Sequence, residues 1–184
     1  MCNLMTISAP ATSGDPTPTG ITVRPAGVPD APAVAAIHNQ YVGGGPHTME
    51  ATPWYWHDVK HDLETHHARE ATIVAEDVAG NVIGYGKVKR YSDREGYRIA
   101  CETSVYVDRD ARGHGVGDAI VGRLVRVAEQ LGYRHITAKI IAGNGASVRL
   151  HFKHGFELVG IQRGIGIVDD RPADVAILQA QLNG

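Results

Sequence analysis

Three places in the 184-residue sequence carry side chains suited to catalysis or ligand binding. A carboxylate, Glu102, interrupts a β-rich run at residues 101–107, and a glycine-rich turn follows at residues 112–117. A histidine, His151, lies further along the chain. Such groups could supply a proton acceptor, a loop that binds an anionic ligand and a second titratable group.

The glycine-rich turn consists of Arg112, Gly113, His114, Gly115, Val116 and Gly117. Alternating glycines let the main chain curl, so that several N–H groups point inward at the start of a helix. Such a curl can hold the oxygens of a diphosphate, and Arg112 adds a cation. The turn lacks the Gly-Lys-Ser/Thr ending of a P-loop, and its G-x-G-x-G spacing differs from that of dinucleotide-binding folds. We therefore expect a nucleotide-type ligand in another fold, an ordinary strand-to-helix turn being the alternative.

The carboxylate of Glu102 is unusual for its position. In a strand, Glu102 shares one face with Ser104 and Tyr106, whereas the intervening residues face the other way. Burying a carboxylate there is unfavourable unless it is paired or used in chemistry. The residues alone leave both interpretations open, a proton acceptor or a surface group in a salt bridge.

His151 lies in a stretch with helical spacing. It follows Asn144 by seven positions and Ser147 by four, so a helix that begins near Asn144 brings all three close to one face. A single helical histidine is more often structural or exposed than functional. Its role therefore depends on what else the sequence resembles.

The elements around these residues alternate between strands and helices. Residues 21–24 predict a strand, and the helix that starts near Pro29 has Val34, Ile37 and Tyr41 on its apolar stripe. Residues 43–46, three glycines and a proline, must end that helix in a loop. The remaining expectations are a polar helix at 54–64, a hairpin at 72–78 and 82–91, a strand at 101–107, helices at about 117–131 and 146–154, and strands at 136–141, 157–161 and 174–182. This order predicts an α/β domain.

The composition, 43% hydrophobic and 21% charged, is typical of one compact domain. The first 20 residues contain no Lys or Arg and no long apolar block, so we expect a flexible tail at 1–20 and the domain at 21–184. A net charge of −2 provides no field that would attract nucleic acid or a membrane, which favours a small-molecule substrate. The two cysteines, Cys2 and Cys101, cannot form a disulfide framework and indicate a cytoplasmic location.

The turn resembles the Arg-x-x-Gly-x-Gly turn of the GCN5-related N-acetyltransferases, the GNAT superfamily, in residue type, spacing and position after the fourth main strand. Residues 101–107 and 144–151, with Gly155-Phe156, resemble the phosphinothricin N-acetyltransferase branch. The resemblance covers roughly residues 21–182. It implies a twisted mixed β-sheet of about six to seven strands flanked by helices, with acetyl-CoA as co-substrate, and it makes pairing as a homodimer possible.

The resemblance also implies a role for each candidate residue. Glu102 matches the general base toward the substrate amine, and His151 matches the general acid or hydrogen-bond donor to the departing CoA thiolate. The residues expected to contact acetyl-CoA are Val105, Tyr106, Val107, Arg112, Gly113, His114, Gly115, Val116, Gly117 and Asn144. Acetyl transfer would then be direct, without a covalent enzyme intermediate.

The substrate segment follows from the same resemblance. Arg94 and Tyr97 match the family's substrate contacts, and Met49 stands where its first loop usually has Phe. Residues 87–98 include five basic and two acidic side chains, which favours an anionic acceptor such as an amino acid or amino-acid-like antibiotic. The family's lysine near Arg94 has no counterpart in register, and Ala173 replaces a Trp. These departures concern the identity of the substrate.

Two other functions remain open at this point. One is a GNAT enzyme for a protein N-terminus, a polyamine or an aminoglycoside. The other is a non-catalytic acyl-CoA-binding module, which would need neither Glu102 nor His151. His57 and His61 have the i, i+4 spacing that would let two imidazoles bind one metal ion, and His66 and His67 follow. A metal site is nevertheless not expected, because no third ligand stands in register. We interpret these histidines as a solvated helix face.

Overall fold

The structure is a computed structural model that describes residues 20–182. The predicted tail, apart from Gly20, lies outside the described residues, as does Cys2. The strands and helices in chain order are β1 Thr22–Pro25, α1 Ala31–Asn39, α2 Trp56–Thr65, β2 Ala71–Glu76, β3 Val82–Arg90, β4 Ala100–Val107, α3 Val116–Gln130, β5 His135–Ile141, α4 Gly145–Lys153, β6 Glu157–Val168 and β7 Arg171–Gln181. The glycine-rich turn joins the fourth strand to α3, as predicted.

The strands within residues 20–182 form one seven-stranded sheet in the order β1-β2-β3-β4-β5-β7-β6. The β4–β5 pair is parallel, and the other pairs are antiparallel. The parallel register runs from Ala100 opposite His135 to Thr103 opposite Ala138 and goes no further, although both strands continue. The two strands therefore separate toward their C-terminal ends and leave a gap in the sheet. The predicted mixed sheet flanked by helices is confirmed.

Helices cover both faces of the sheet. On one face, Val34 and Ile37 of α1 share a buried cluster with Val74 and Tyr85 of β2 and β3. On the other face, the apolar stripe of α3 packs against the sheet. Gly86 of β3 permits this close approach, because a Cβ there would lie 2.7 Å from an Ile120 methyl group and 2.8 Å from one of Leu124. Residues within 20–182 form no helix long and apolar enough to cross a membrane.

The final hairpin differs from the sequence expectation. Strands were expected at 157–161 and 174–182, but β6 continues to Val168 and β7 begins at Arg171. The intervening glycines, aspartates and Pro172 are typical of a loop, which is why the pattern suggested shorter strands. Asp169 and Asp170 adopt positive φ angles of 51° and 58° and close a tight turn. Pro172 is tolerated because this end of β7 pairs with β6 and not with β5, so one side of its backbone is free.

Candidate active site

The glycine-rich turn has the backbone conformation that its sequence predicts. Gly113 and Gly115 have φ angles of 81° and 86°, in the left-handed region where a side chain would be strained. Gly115 is the residue that immediately precedes α3, and the helix starts at Val116. The turn therefore presents backbone N–H groups and the positive end of the α3 dipole to one cleft.

A tyrosine two residues after the end of α1 fixes the cation beside this turn. Arg112 Nε donates a hydrogen bond to the Tyr41 hydroxyl at 3.0 Å, and the guanidinium lies 4.8 Å from the centre of the same ring. The Tyr41 hydroxyl donates in turn to the Val107 carbonyl of β4. Tyr41 is buried whereas Arg112 is exposed, so a rigid side chain orients a solvent-accessible one. Arg112 is thereby directed toward an anion at the turn.

The cleft beside the turn has a volume of about 460 Å³. It lies between the end of β4, the turn and α4. Its lining contains nine of the ten residues predicted to contact acetyl-CoA: Val105, Tyr106, Val107, Arg112, Gly113, Gly115, Val116, Gly117 and Asn144. The tenth, His114, instead lines a separate groove with Asp77 and Asp108. His114 is therefore the one residue of the ten that does not line the cleft.

The separation of β4 from β5 also leaves backbone groups of β4 facing an open gap. Asp108 donates its N–H to Ile83 of β3. Because successive peptide groups of a strand face opposite sides, those of Val105 and Val107 face β5. The β4–β5 pairing has already ended at Thr103, so the Val105 N–H faces the gap. A donor in that position could stabilise a developing negative oxygen.

A second cavity, of about 170 Å³, contains both predicted acid–base residues. Glu102 and His151 line it from β4 and from α4 respectively. We call it the amine cavity. It shares five lining residues with the cleft, namely His47, Val105, Tyr106, Asn144 and Ser147. The two cavities are therefore neighbours with a common wall.

His151 is held in one tautomer. Its Nδ1 donates to the Ser147 carbonyl at 2.8 Å, and the ring is 3% exposed. Burial lowers the pKa of His151, against a smaller opposing effect of that hydrogen bond. The resting ring is therefore neutral at neutral pH, with its proton on Nδ1 and an accepting lone pair on Nε2. Asn144 positions the same helix, since its side chain accepts from the Ser147 N–H at 3.2 Å and caps α4.

The carboxylate of Glu102 is paired. Glu102 Oε2 lies 2.6 Å from Nζ of Lys139 on β5, and the two side chains are 33% and 47% exposed. Of the two interpretations that the sequence left open, the structure shows the salt bridge directly. The same carboxylate also lines the amine cavity. The salt bridge therefore does not remove Glu102 from the site.

The predicted substrate residues lie outside the linings of the cleft and the amine cavity. Met49 contacts β6 at Gly166, where an added Cβ would lie 2.8 Å from its sulfur. Arg94 immediately precedes a short 3₁₀ turn, Glu95–Tyr97, and is exposed. The Tyr97 ring lies 5.3 Å from Tyr91, whose ring is 5.9 Å from the Lys139 ammonium. Aromatic contacts thus connect this segment to the amine cavity.

Sequence reasoning missed two residues of the site, His47 and Lys139. His47 lines both cavities, and burial together with Arg112 and Arg109 lowers its pKa. It follows the Gly-Pro loop, so its sequence context carried no signal. Lys139 did carry one, because it is a charged residue inside the β-rich run 136–141, the same irregularity that made Glu102 noticeable.

Two adjoining cavities, one suited to a nucleotide-linked ligand and one containing acid–base groups, define a transferase that moves a group from a bound donor to a second substrate. No group of three or more His, Cys, Asp or Glu side chains within the described part of the chain could hold a metal ion. His57 is exposed and pairs with Asp58 at 3.6 Å.

Comparison with known proteins identifies the transferase class. Residues 59–177 match the family model of the acetyltransferase (GNAT) domain. An L-methionine sulfoximine/L-methionine sulfone acetyltransferase of Pseudomonas aeruginosa is 34% identical over 170 residues, covering 88% of this chain and 95% of that protein. A phosphinothricin N-acetyltransferase of Alcaligenes faecalis is 31% identical over 170 residues, covering 88% and 83%. The crystal structure of a phosphinothricin acetyltransferase from Sinorhizobium meliloti in complex with acetyl-CoA has a TM-score of 0.84 and 32% identity, covering 89% of each chain.

The chain belongs to the GNAT acetyltransferase family. The prediction of an acetyl-CoA-dependent N-acetyltransferase is confirmed, as is the resemblance to the phosphinothricin acetyltransferase branch.

Proposed function

We propose that this enzyme transfers the acetyl group of acetyl-CoA to the primary amine of a small amino acid or amino-acid-like antibiotic, of the phosphinothricin or methionine sulfoximine type. The observation that carries the proposal is the common wall of the cleft and the amine cavity. A thioester lying along Val105 would end beside the cavity that contains Glu102. The names of the relatives supply the class of acceptor.

The cleft binds the donor by its backbone and by one oriented cation. The N–H groups of the turn, the α3 dipole and Arg112 would hold the diphosphate. The gap between β4 and β5 would take the extended arm, with the Val105 N–H directed at the acetyl oxygen. Burial raises the pKa of Tyr106, so its phenol stays protonated in the wall between the two cavities.

Two residues would move the protons of the acceptor. Glu102 takes a proton from the substrate ammonium, directly or through water, because only the free amine can attack. His151 Nε2 accepts the second proton from the nitrogen as the amide forms, and then returns it to the departing thiolate. The resting tautomer supports this order, since a neutral ring with Nδ1–H on Ser147 offers the cavity a lone pair. The donor role expected for His151 thus becomes its second step.

The remaining site proposals concern the rest of the substrate. We keep Met49, Arg94 and Tyr97 as candidate contacts beyond the amine cavity. The contacts between Tyr97, Tyr91 and Lys139 support this, because they join the basic segment to the cavity. An anionic side group of the acceptor would extend toward Arg94.

A thiol-release assay with acetyl-CoA tests the function. The panel contains L-amino acids, phosphinothricin, methionine sulfoximine, spermidine and an aminoglycoside. We expect release with one or more of the amino-acid-type acceptors and little with the cationic amines, since the segment at 87–98 is basic. Turnover confined to the cationic amines, or no turnover with any acceptor, would refute the proposal.

We also propose that the enzyme is a homodimer that pairs through β6. This strand is one edge of the sheet, and Leu158, Val159, Ile161, Ile165 and Ile167 on it are 49% to 66% exposed. An uncovered apolar edge favours association, and a second copy of the same edge is complementary to it in antiparallel orientation. In analytical ultracentrifugation, Ile165→Lys should be monomeric, whereas Val78→Lys at an exposed turn should stay dimeric. A monomeric wild type or a dimeric Ile165→Lys would contradict this interface.

A cytoplasmic location and a small-molecule partner, with no binding of nucleic acid or membrane, complete the proposal. Cys101 is a buried free thiol, and burial raises its pKa to about 12, so it resists oxidation and fits a reducing compartment.

A further inference from the structure

Lys139 contacts the carboxylate that we propose as the base. Its Nζ lies 2.6 Å from Glu102 Oε2. Glu102 pairs in register with Thr137 of β5, and Lys139 stands two residues further along that strand. Both side chains therefore leave the same face of the sheet, and both line the amine cavity.

This salt bridge restricts which amines can react. One oxygen of Glu102 is already occupied, and an ammonium that approaches it meets the like charge of Lys139. A substrate with only positive charge is repelled. An α-amino acid carries a carboxylate next to its ammonium, so it can satisfy both protein charges at once. Its ammonium then reaches Glu102 while its carboxylate reaches Lys139.

We propose that Lys139 determines acceptor specificity by binding the α-carboxylate of the amino acid. When Lys139 pairs with the substrate carboxylate, it releases Glu102 to take the proton of the ammonium. The inference rests on the proposed function and names the substrate feature that the site recognises. Esters and amides of amino acids, polyamines and aminoglycosides lack that carboxylate and are poor acceptors.

The surroundings of Lys139 agree with this role. Its ammonium lies 5.9 Å from the centre of the Tyr91 ring and is half exposed, so it can change partner. Lys89 of β3 stands opposite Glu102, which places lysines on both neighbouring strands. Lys87 on the same face is buried and paired with a carboxylate of α2, so its charge is already compensated.

The test compares L-methionine sulfoximine with its methyl ester as acceptors. Steady-state kinetics are measured for the wild type, Lys139→Met and Lys139→Arg, with Lys60→Met on the exposed face of α2 as control. Comparing each variant with the wild type on the same acceptor cancels the difference in amine basicity between acid and ester. In Lys139→Met, we expect kcat/KM for the acid to fall roughly tenfold or more, mainly through KM, while the ester is unchanged or improved. Lys139→Arg should retain the preference for the acid, and Lys60→Met should resemble the wild type.

The outcomes separate the possible roles of Lys139. An equal fall for acid and ester would overturn the inference, because Lys139 would then act only by holding Glu102. An unchanged value for the acid would overturn it as well. Calorimetry of acetyl-CoA binding shows whether each variant is folded, and a misfolded Lys139→Met is replaced by Lys139→Gln under the same criteria. A wild type that acetylates neither this acid nor any other amino acid would refute the proposed function itself.

Discussion

Tyr41 should control the affinity of the enzyme for acetyl-CoA through Arg112, without itself contacting the diphosphate of acetyl-CoA. The substitution Tyr41→Phe removes the acceptor for Arg112 Nε and leaves the ring under the guanidinium. A hydrogen bond of this kind contributes about 1 kcal/mol, so we expect Kd to rise about fivefold. Removing the exposed cation itself by Arg112→Met should cost about 1 to 2 kcal/mol of binding, after allowance for solvent screening.

Calorimetry on the double-mutant cycle decides whether the two residues act together. If Tyr41 acts by orienting Arg112, Tyr41→Phe should have almost no further effect in the Arg112→Met background. Tyr133→Phe is a matched control, because Tyr133 is also buried, donates to a carbonyl at 2.7 Å and has an arginine over its ring at 4.2 Å. It should reduce stability by a similar amount and leave acetyl-CoA affinity unchanged. Additive effects of Tyr41→Phe and Arg112→Met would refute the reasoning.

Three further predictions concern the turn, the second proton carrier and the core. Gly115→Val should abolish measurable acetyl-CoA binding by calorimetry, since φ of 86° is strained for valine and its side chain would intrude at the diphosphate; native affinity would show that the turn is not the binding loop. His151→Ala should lower kcat roughly a hundredfold with little change in acetyl-CoA affinity, whereas an unchanged kcat would make His151 structural. Burial, with a smaller effect of Lys87, lowers the pKa of His38 to about 4. The unfolded chain therefore takes up a proton that the folded chain does not as pH falls from about 7 to 5, which should lower the free energy of unfolding by about 2 kcal/mol. In urea unfolding, the His38→Gln variant should lose that part of the pH dependence of the free energy of unfolding. A pH dependence identical to that of the wild type would contradict the prediction.

Local patterns predicted the parts of the site that depend on neighbouring residues in the chain. The curl of the turn follows from Gly113 and Gly115, and the start of α4 near Asn144 follows from the helical spacing of Asn144, Ser147 and His151. The pairing of Glu102 with Lys139 could not be predicted, because it depends on the parallel register of two strands separated by the whole of α3.

Contacts that the sequence pattern does not reveal account for the other differences between the sequence predictions and the structure. The sequence placed Tyr41 on an apolar helix stripe. In the structure its hydroxyl forms hydrogen bonds with Val107 and Arg112, which lie far along the chain. The length of the final hairpin depends on pairing between β6 and β7, which overrides the loop-like composition around Pro172. The tautomer of His151 is set by a carbonyl one helical turn away, and only the structure shows that its ring donates there.

The Glu102→Gln variant tests most directly whether the amine cavity performs acid–base chemistry beside the bound thioester. Gln is nearly isosteric but cannot accept the proton, so acetyl-CoA affinity should be native while kcat falls roughly a hundredfold or more near neutral pH. Between about pH 6 and 9 the variant should regain part of the loss, because more of the acceptor arrives as free amine. Native kcat across that range in a folded Glu102→Gln enzyme would contradict the account.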